Sequence, residues 1–394
     1  MDNRIKIAYL DYSQVFAGAE RVLHTIIDNL DRKRFEPTLV FPYPMEHQSG
    51  YADLDCDKIC LADRKTWWMG SARWKHPLRG TDLLARSVWG IKLAGILKSR
   101  KIDILHVNLL RPDVLMWILP AKLAGIKIIG HFRSQSYEWI TPLAAQKCCK
   151  LILCVSRYSQ NRMLHKGNHT PSMTLYDSIE IEQFQTDLTQ IEARKKLGLP
   201  TNGTIFSSVG QLSRHKGHDN AIRSFATIAD LFPDTYLYVA GGGADLEYLQ
   251  NMAKSYPAFK DRIFFSGKQL SDVKTVYRAS DIILSLTKVG EAFGLVPYEA
   301  SIMGLPFIAP NFGAVTEFIN DGVNGCLVDT NSVEAISAKM EWLLTNPELA
   351  KKMVKEAQAT ISESLTPETM VNNLQEAYDS VIRGRIPQNA DLLP

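Results

Sequence analysis

Short apolar runs rich in Val, Ile and Leu alternate along the chain with stretches of helical periodicity. In the first half the runs fall at residues 5–10, 38–41, 102–107, 126–132, 151–155 and 173–176. After a polar stretch the pattern restarts at 204–209, 236–240, 263–266, 281–286, 306–309 and 325–328. Runs that are apolar throughout suit strands buried on both faces of a parallel sheet. The amphipathic segments between them, such as 19–30 and 221–231, suit crossover helices. Two such series predict an α/β chain of two doubly wound domains, with ligands at the carboxyl ends of the strands. The boundary is expected near residues 182–188, ahead of a helix-like stretch at 192–197 and a turn at 198–203. A last helix opens at Thr366-Pro367-Glu368, with proline in its first turn, and runs to about Arg383. The expected division is therefore 1–184, 185–365 and 366–394, the final helix packing back toward the N-terminal domain and the tail loose.

Length agrees with this picture, since 394 residues suit two cores better than one. A hydrophobic content of 45% with 22% charged residues is that of a globular chain. No apolar signal segment precedes residue 5, and the nearest apolar stretch, 114–119, is too short to span a bilayer. Cys56, Cys60, Cys148, Cys149, Cys154 and Cys326 match no zinc spacing and read as reduced thiols, so a cytoplasmic location is expected. No nucleic-acid partner is expected. The net charge of +3 hides an asymmetry: residues 1–184 hold 26 Lys and Arg against 18 Asp and Glu, the rest 19 against 24. A basic half suggests an anionic partner, with plain solvated surface as the competing account.

The segment Gly290-Glu291-Ala292-Phe293-Gly294-Leu295-Val296-Pro297-Tyr298-Glu299-Ala300 follows one apolar run, and Gly304-Leu305-Pro306 leads into the next. Pro297 fits the first turn of a helix and Gly304 its C-terminal cap. The amides of Phe293, Gly294 and Leu295 then stand at a helix N-terminus, where unpaired N–H groups and the dipole favour a phosphate. Glu291 and Glu299 flank that site. Carboxylates are poor phosphate ligands but good acceptors for sugar hydroxyls, which a nucleotide sugar carries on both sides of its diphosphate.

Glu291 and Glu299 with the interior Phe-Gly-Leu-Val resemble the signature of family 4 retaining glycosyltransferases. Their GT-B fold sets two Rossmann-like domains face to face across a cleft. The resemblance continues in order through Ala17-Gly18-Ala19-Glu20, Asp103 to Asn108, His131, Val155-Ser156, Tyr176 to Glu180, Gly210-Gln211-Leu212, Lys216-Gly217, Ala240 to Gly243 and Gly313 to Glu317. It implies a metal-independent retaining transferase without a cofactor. The donor would be a UDP or GDP sugar. The acceptor, a glycan or lipid-linked sugar, would sit in the N-terminal half, in surface polysaccharide or glycoconjugate synthesis. Residue by residue, it implies that Lys216, the Phe293, Gly294 and Leu295 amides and the Gly18 loop hold the diphosphate. Glu299 would bind ribose, Glu291 the donor sugar, and His131 would face the reacting sugar. The chain departs from the family at Gln211, where an arginine is usual; Arg214 is a candidate replacement. It departs also at Asp177-Ser178-Ile179-Glu180 and at Ala17-Gly18, which has one glycine of the usual two. A catalytically silent sugar-nucleotide-binding or scaffold protein of this fold, and a GT-B phosphorylase, are the alternatives. Gly241–Gly243 lack G-x-G-x-x-G spacing, and the D-x-D run at Asp53, Asp55 and Asp57 belongs with a single-domain transferase fold.

Between Arg64 and Lys101, Trp67, Trp68, Trp74 and Trp89 accompany ten basic residues and Asp82 alone among acids. Basic residues draw anionic lipid and tryptophan favours the interface. This segment is therefore expected to dock on the cytoplasmic leaflet, with core tryptophans as the competing account. Base selection is expected near Lys268–Gln269.

Overall fold

The computed structural model describes residues 4–13, 16–42, 46–61, 80–111, 114–133, 143–164, 170–267 and 272–386. The chain forms two compact units, one made of Met1–Ile179 with Thr366–Leu392, the other of Glu180–Leu365.

In the first unit, strands β1 (Ile5–Leu10), β2 (Phe35–Phe41), β3 (Asp57–Cys60), β4 (Ile104–Val107), β5 (Lys127–Phe132), β6 (Leu151–Cys154) and β7 (Ser172–Thr174) form one sheet. Its order is β3-β2-β1-β4-β5-β6-β7, with every pair parallel. The second unit holds β8 (Thr204–Val209), β9 (Thr235–Ala240), β10 (Ile263–Phe265), β11 (Ile282–Leu284), β12 (Phe307–Pro310) and β13 (Cys326–Val328). They are ordered β10-β9-β8-β11-β12-β13, again all parallel. Each predicted apolar run is a strand. One strand was not anticipated: β3 lies at the edge, largely exposed, and its Asp57 and Lys58 break the apolar pattern. An edge strand meets only one neighbour and needs no continuous apolar run.

The strand order reverses between β1 and β4 in one sheet and between β8 and β11 in the other. Crossovers leave such a point in opposite directions and open a crevice beyond the carboxyl ends of the strands. Residues just after β1, β4, β8 and β11 are therefore where each unit can bind a ligand.

The last helix, Pro367–Ile382, starts at Thr366, whose side chain accepts from the Thr369 amide. It belongs to the first unit. Gln375 Oε1 accepts from the Asp31 amide at 2.8 Å, Asp379 pairs with Arg34, and Lys127 Nζ donates to the Ile382 carbonyl at 3.0 Å. Tyr378 is fully buried against Phe35 and His106.

Among the described residues no helix is long and apolar enough to cross a membrane. Residues 64–79 of the basic, tryptophan-rich segment, with Trp67, Trp68 and Trp74, and Lys268–Gln269 lie outside the described residues. Of the part that is described, Lys92 donates to the Leu61 carbonyl and lies 4.7 Å over the Trp89 ring, and Arg100 pairs with Asp57. Asp53 accepts from His24 at 3.1 Å.

Candidate active site

In the second unit the helix Leu295–Ile302 begins at Gly294, whose φ of 103° is left-handed and costs glycine little. The first helical bond runs from the Tyr298 amide to the Gly294 carbonyl, so the amides of Gly294 and Leu295 precede the hydrogen-bonded turns. At the far end Gly304, with φ 68°, and Leu305 donate back to Ser301 and Ala300. This Schellman closure stops the helix and returns the chain to β12.

Glu291 sits ahead of the helix. Its Oε2 lies 4.0 Å from where a Cβ on Gly294 would stand, so its carboxylate borders the helix N-terminus. The Glu291 carbonyl accepts from the Ala314 amide, and Gly313 brings that turn close: a Cβ there would meet the Gly290 Cα at 3.0 Å. The Glu291 side chain forms an ion pair with Lys216. Lys216 ends a short turn, Arg214–Lys216, that is clamped to the chain after β11. The Lys288 amide donates to the His215 carbonyl at 2.7 Å, and Thr287 Oγ1 donates to it at 3.1 Å. Gly217 makes the approach possible, because a Cβ at its φ of 73° would stand 1.8 Å from the Leu286 carbonyl oxygen. The glycines after β9 act similarly: a Cβ on Gly241 would lie 1.8 Å from the Gly210 oxygen, and one on Gly243 would lie 2.2 Å from the Leu212 oxygen.

Glu299 is buried and accepts from the Tyr277 hydroxyl at 2.5 Å. Phe184 packs edge-on against Tyr277. Gln211 is held through its backbone, which accepts from His218 Nε2 at 3.1 Å; His218 Nδ1 in turn accepts from Ser208 at 2.8 Å. Arg214 lies 3.6 Å over the Tyr248 ring and 3.6 Å from Asp245. Its guanidinium is engaged by those two residues.

In the first unit Gly18 opens the helix Gly18–Asp28, and Glu20 reaches back to accept from the Ala17 amide at 2.9 Å. Burial, helped by the nearby Asp11 charge, raises the Glu20 carboxyl above its ordinary range. Tyr51 donates to Asp11 at 2.7 Å. At the end of β5, His131 is fully buried. Its Nδ1 lies 3.1 Å from Arg133 Nη2 and 3.3 Å from His106 Nε2. Its Nε2 has no hydrogen-bond partner among the described residues; the same holds for both amide atoms of Asn108, after β4, and for Arg133 Nε. Arg133 pairs with the buried Asp177, whose carboxyl burial pushes upward. Burial, with the Arg133 charge adding to it, holds the His131 imidazole well below its usual pKa. A buried imidazole, amide and guanidinium thus stand at the carboxyl ends of the neighbouring interior strands β4 and β5, which suits a ligand rich in hydroxyls.

The sequence profile described as Glycosyltransferase Family 4 matches residues 16–182, and that described as Glycosyl transferases group 1 matches residues 189–360. The chain belongs to glycosyltransferase family 4. A Bacillus anthracis N-acetyl-alpha-D-glucosaminyl L-malate synthase is 26% identical to this family 4 chain, over 74% of it and 78% of the relative. An Escherichia coli UDP-Gal:alpha-D-GlcNAc-diphosphoundecaprenol alpha-1,3-galactosyltransferase is 21% identical over 96% and 98%. The crystal structure of Anabaena HepE in complex with UDP and glucose superposes with a TM-score of 0.80 at 20% identity. That superposition spans 96% of this chain and 100% of HepE, and it agrees with the GT-B fold.

In this family 4 chain the structure joins Lys216 to Glu291 beside Gly294, and it sets Glu299 on Tyr277. The contacts of His106, Arg133, Asp177, His218 and Tyr277 were not foreseen. Their partners lie far away in sequence, and no local spacing announces them. His218 has a measurable consequence. Burial depresses its imidazole from 6.5 to about 4. The unfolded chain takes up a proton near pH 6.5 and the folded one only near pH 4, so stability is whole above 6.5 and is lost as pH falls between them. The expected slope is about 1.4 kcal/mol per pH unit for one such group. Urea melts between pH 7.5 and 4.5 should be shallower in their pH dependence for His218→Gln by up to that amount; identical slopes would refute it.

Proposed function

We propose that this family 4 enzyme transfers a sugar, with retention of configuration and without a metal ion, from a nucleotide-diphosphate sugar. The observation that carries the reading is the Lys216–Glu291 pair set against the amides that lead the helix Leu295–Ile302. An ammonium and two oriented N–H groups form an anion site, and the neighbouring carboxylate accepts from hydroxyls of the attached sugar. As the bond to the anomeric carbon breaks, charge gathers on the departing diphosphate. Lys216 and the amides already point there, so they stabilise the transition state more than the ground state. Phe293 is assigned to the same phosphates, and Glu299 to the ribose. With the leaving group neutralised by these groups, attack from the face it vacates gives retention. The two relatives' names specify α-linked sugars, which supports this stereochemistry.

The donor class follows from the same site and is supported by the UDP and glucose seen with HepE. For the acceptor, the unpartnered atoms of Asn108, His131 and Arg133 offer hydrogen bonds to sugar hydroxyls. The E. coli relative's diphosphoundecaprenol acceptor supports a lipid-linked glycan, met at the cytoplasmic face of a membrane through the segment from Arg64 to Lys101. In a calorimetric panel of nucleotide-diphosphate sugars, one is expected to bind. Incubation with EDTA and a lipid-linked acceptor should then yield an α-linked product by NMR. Binding by none of the panel, or an inverted anomer, would overturn the proposal.

A further inference from the structure

Buried groups of the first unit form a hydrogen-bond chain whose direction is set at one end by Arg133. A guanidinium has donors and no acceptor, so Arg133 Nη2, at 3.1 Å, requires His131 Nδ1 to be a bare acceptor. A neutral imidazole carries one ring proton, which must then sit on Nε2. His106 Nε2, 3.3 Å from the same Nδ1, must likewise be a donor, leaving His106 Nδ1 bare. That atom accepts from the Tyr378 hydroxyl at 2.6 Å. The Tyr378 hydroxyl also lies 3.1 Å from that of Tyr9. Tyr9, His106, His131 and Tyr378 are fully buried. The His131 proton stands on the one ring nitrogen without a partner among the described residues; the Asn108 amide, after the neighbouring strand β4, is equally unpartnered.

We infer that Arg133, His106 and Tyr378 are positioning residues that lock His131 as an Nε2–H donor. His131 then donates a hydrogen bond to an oxygen of the bound acceptor sugar and does not remove its proton. The second half of this statement rests on the function proposed above; the first half does not. Nδ1 is covered by two independent donors, so losing one leaves the lock in place and losing both releases it.

Long-range proton–nitrogen NMR on the full chain labelled at histidine, with His131→Asn to assign the signals, tests the lock directly. Without ligand, His131 is expected to show a single tautomer with a protonated Nε2 and a bare Nδ1. A proton on Nδ1, or two tautomers, would overturn the inference. In Arg133→Met with Tyr378→Phe, a second pair of signals is expected. Arg133→Lys with Tyr378→Phe, which keeps a donor at Nδ1, should restore one pair. A double variant that is folded but unchanged would count against the lock. The wild-type spectrum decides the matter even where that variant does not fold. Adding a lipid-linked acceptor that the transfer assay shows to be used should move the Nε2 signal; no movement at an acceptor concentration that saturates transfer would refute the donor role. Absence of binding to any nucleotide sugar instead refutes the proposed function and leaves the tautomer result standing.

Discussion

Lys216→Ala is expected to lower kcat for sugar transfer by about a hundred- to a thousand-fold, or about 2.7–4 kcal/mol, while leaving the protein folded. That range is typical of removing one preorganised donor from a developing negative charge. Lys216 projects from a turn whose geometry is set by backbone bonds to His215 and by Gly217, not by its own side chain. The substitution therefore deletes the ammonium without moving the loop. Because the diphosphate is charged before reaction as well, donor affinity should also fall, but less than kcat. Steady-state kinetics with the donor found by calorimetry, beside a thermal melt, is the measurement. A loss of under threefold at an unchanged melting temperature would mean that the leaving group is neutralised elsewhere.

Glu291→Gln should separate binding from transfer. In the ligand-free protein Lys216 is paired with Glu291, and a diphosphate must compete for it. Removing the carboxylate's charge ends that competition, so nucleotide diphosphate alone should bind as well as before or more tightly. The charged acceptor for the sugar hydroxyl is lost at the same time. A hydrogen bond to a charged group is worth about 1.5–3 kcal/mol, so transfer should drop about 10- to 150-fold. Opposite signs for the two readouts cannot come from general damage to the fold. If both fall together, Glu291 is structural and the sugar is held by other groups.

The architecture was legible in the sequence where the physics is local. Interior parallel strands such as β6 and β11 are buried throughout and show as unbroken apolar runs. The helix at Leu295 shows through Pro297 in its first turn and Gly304 beyond its last, and both act within a few residues of themselves. β3 was hidden because an exposed edge strand leaves no such run. The pairings within the sites were hidden for another reason. Tyr277 and Glu299 are 22 residues apart, Arg133 and Asp177 are 44 apart, and His106 and Tyr378 are 272 apart. Nothing in the neighbourhood of either partner specifies the other. Arg214 illustrates the same limit: Tyr248 and Asp245, on and beside a helix not adjacent in sequence, are what it touches.

The return of the last helix to the first unit also sets a timetable for synthesis. When His106 leaves the ribosome, the tyrosine that completes its surroundings has not been made, and 272 residues separate the two. At roughly 5–20 residues per second that is a wait of about 15–50 seconds. Throughout it, the nascent N-terminal half must carry an uncovered apolar face that only the final stretch of chain can close.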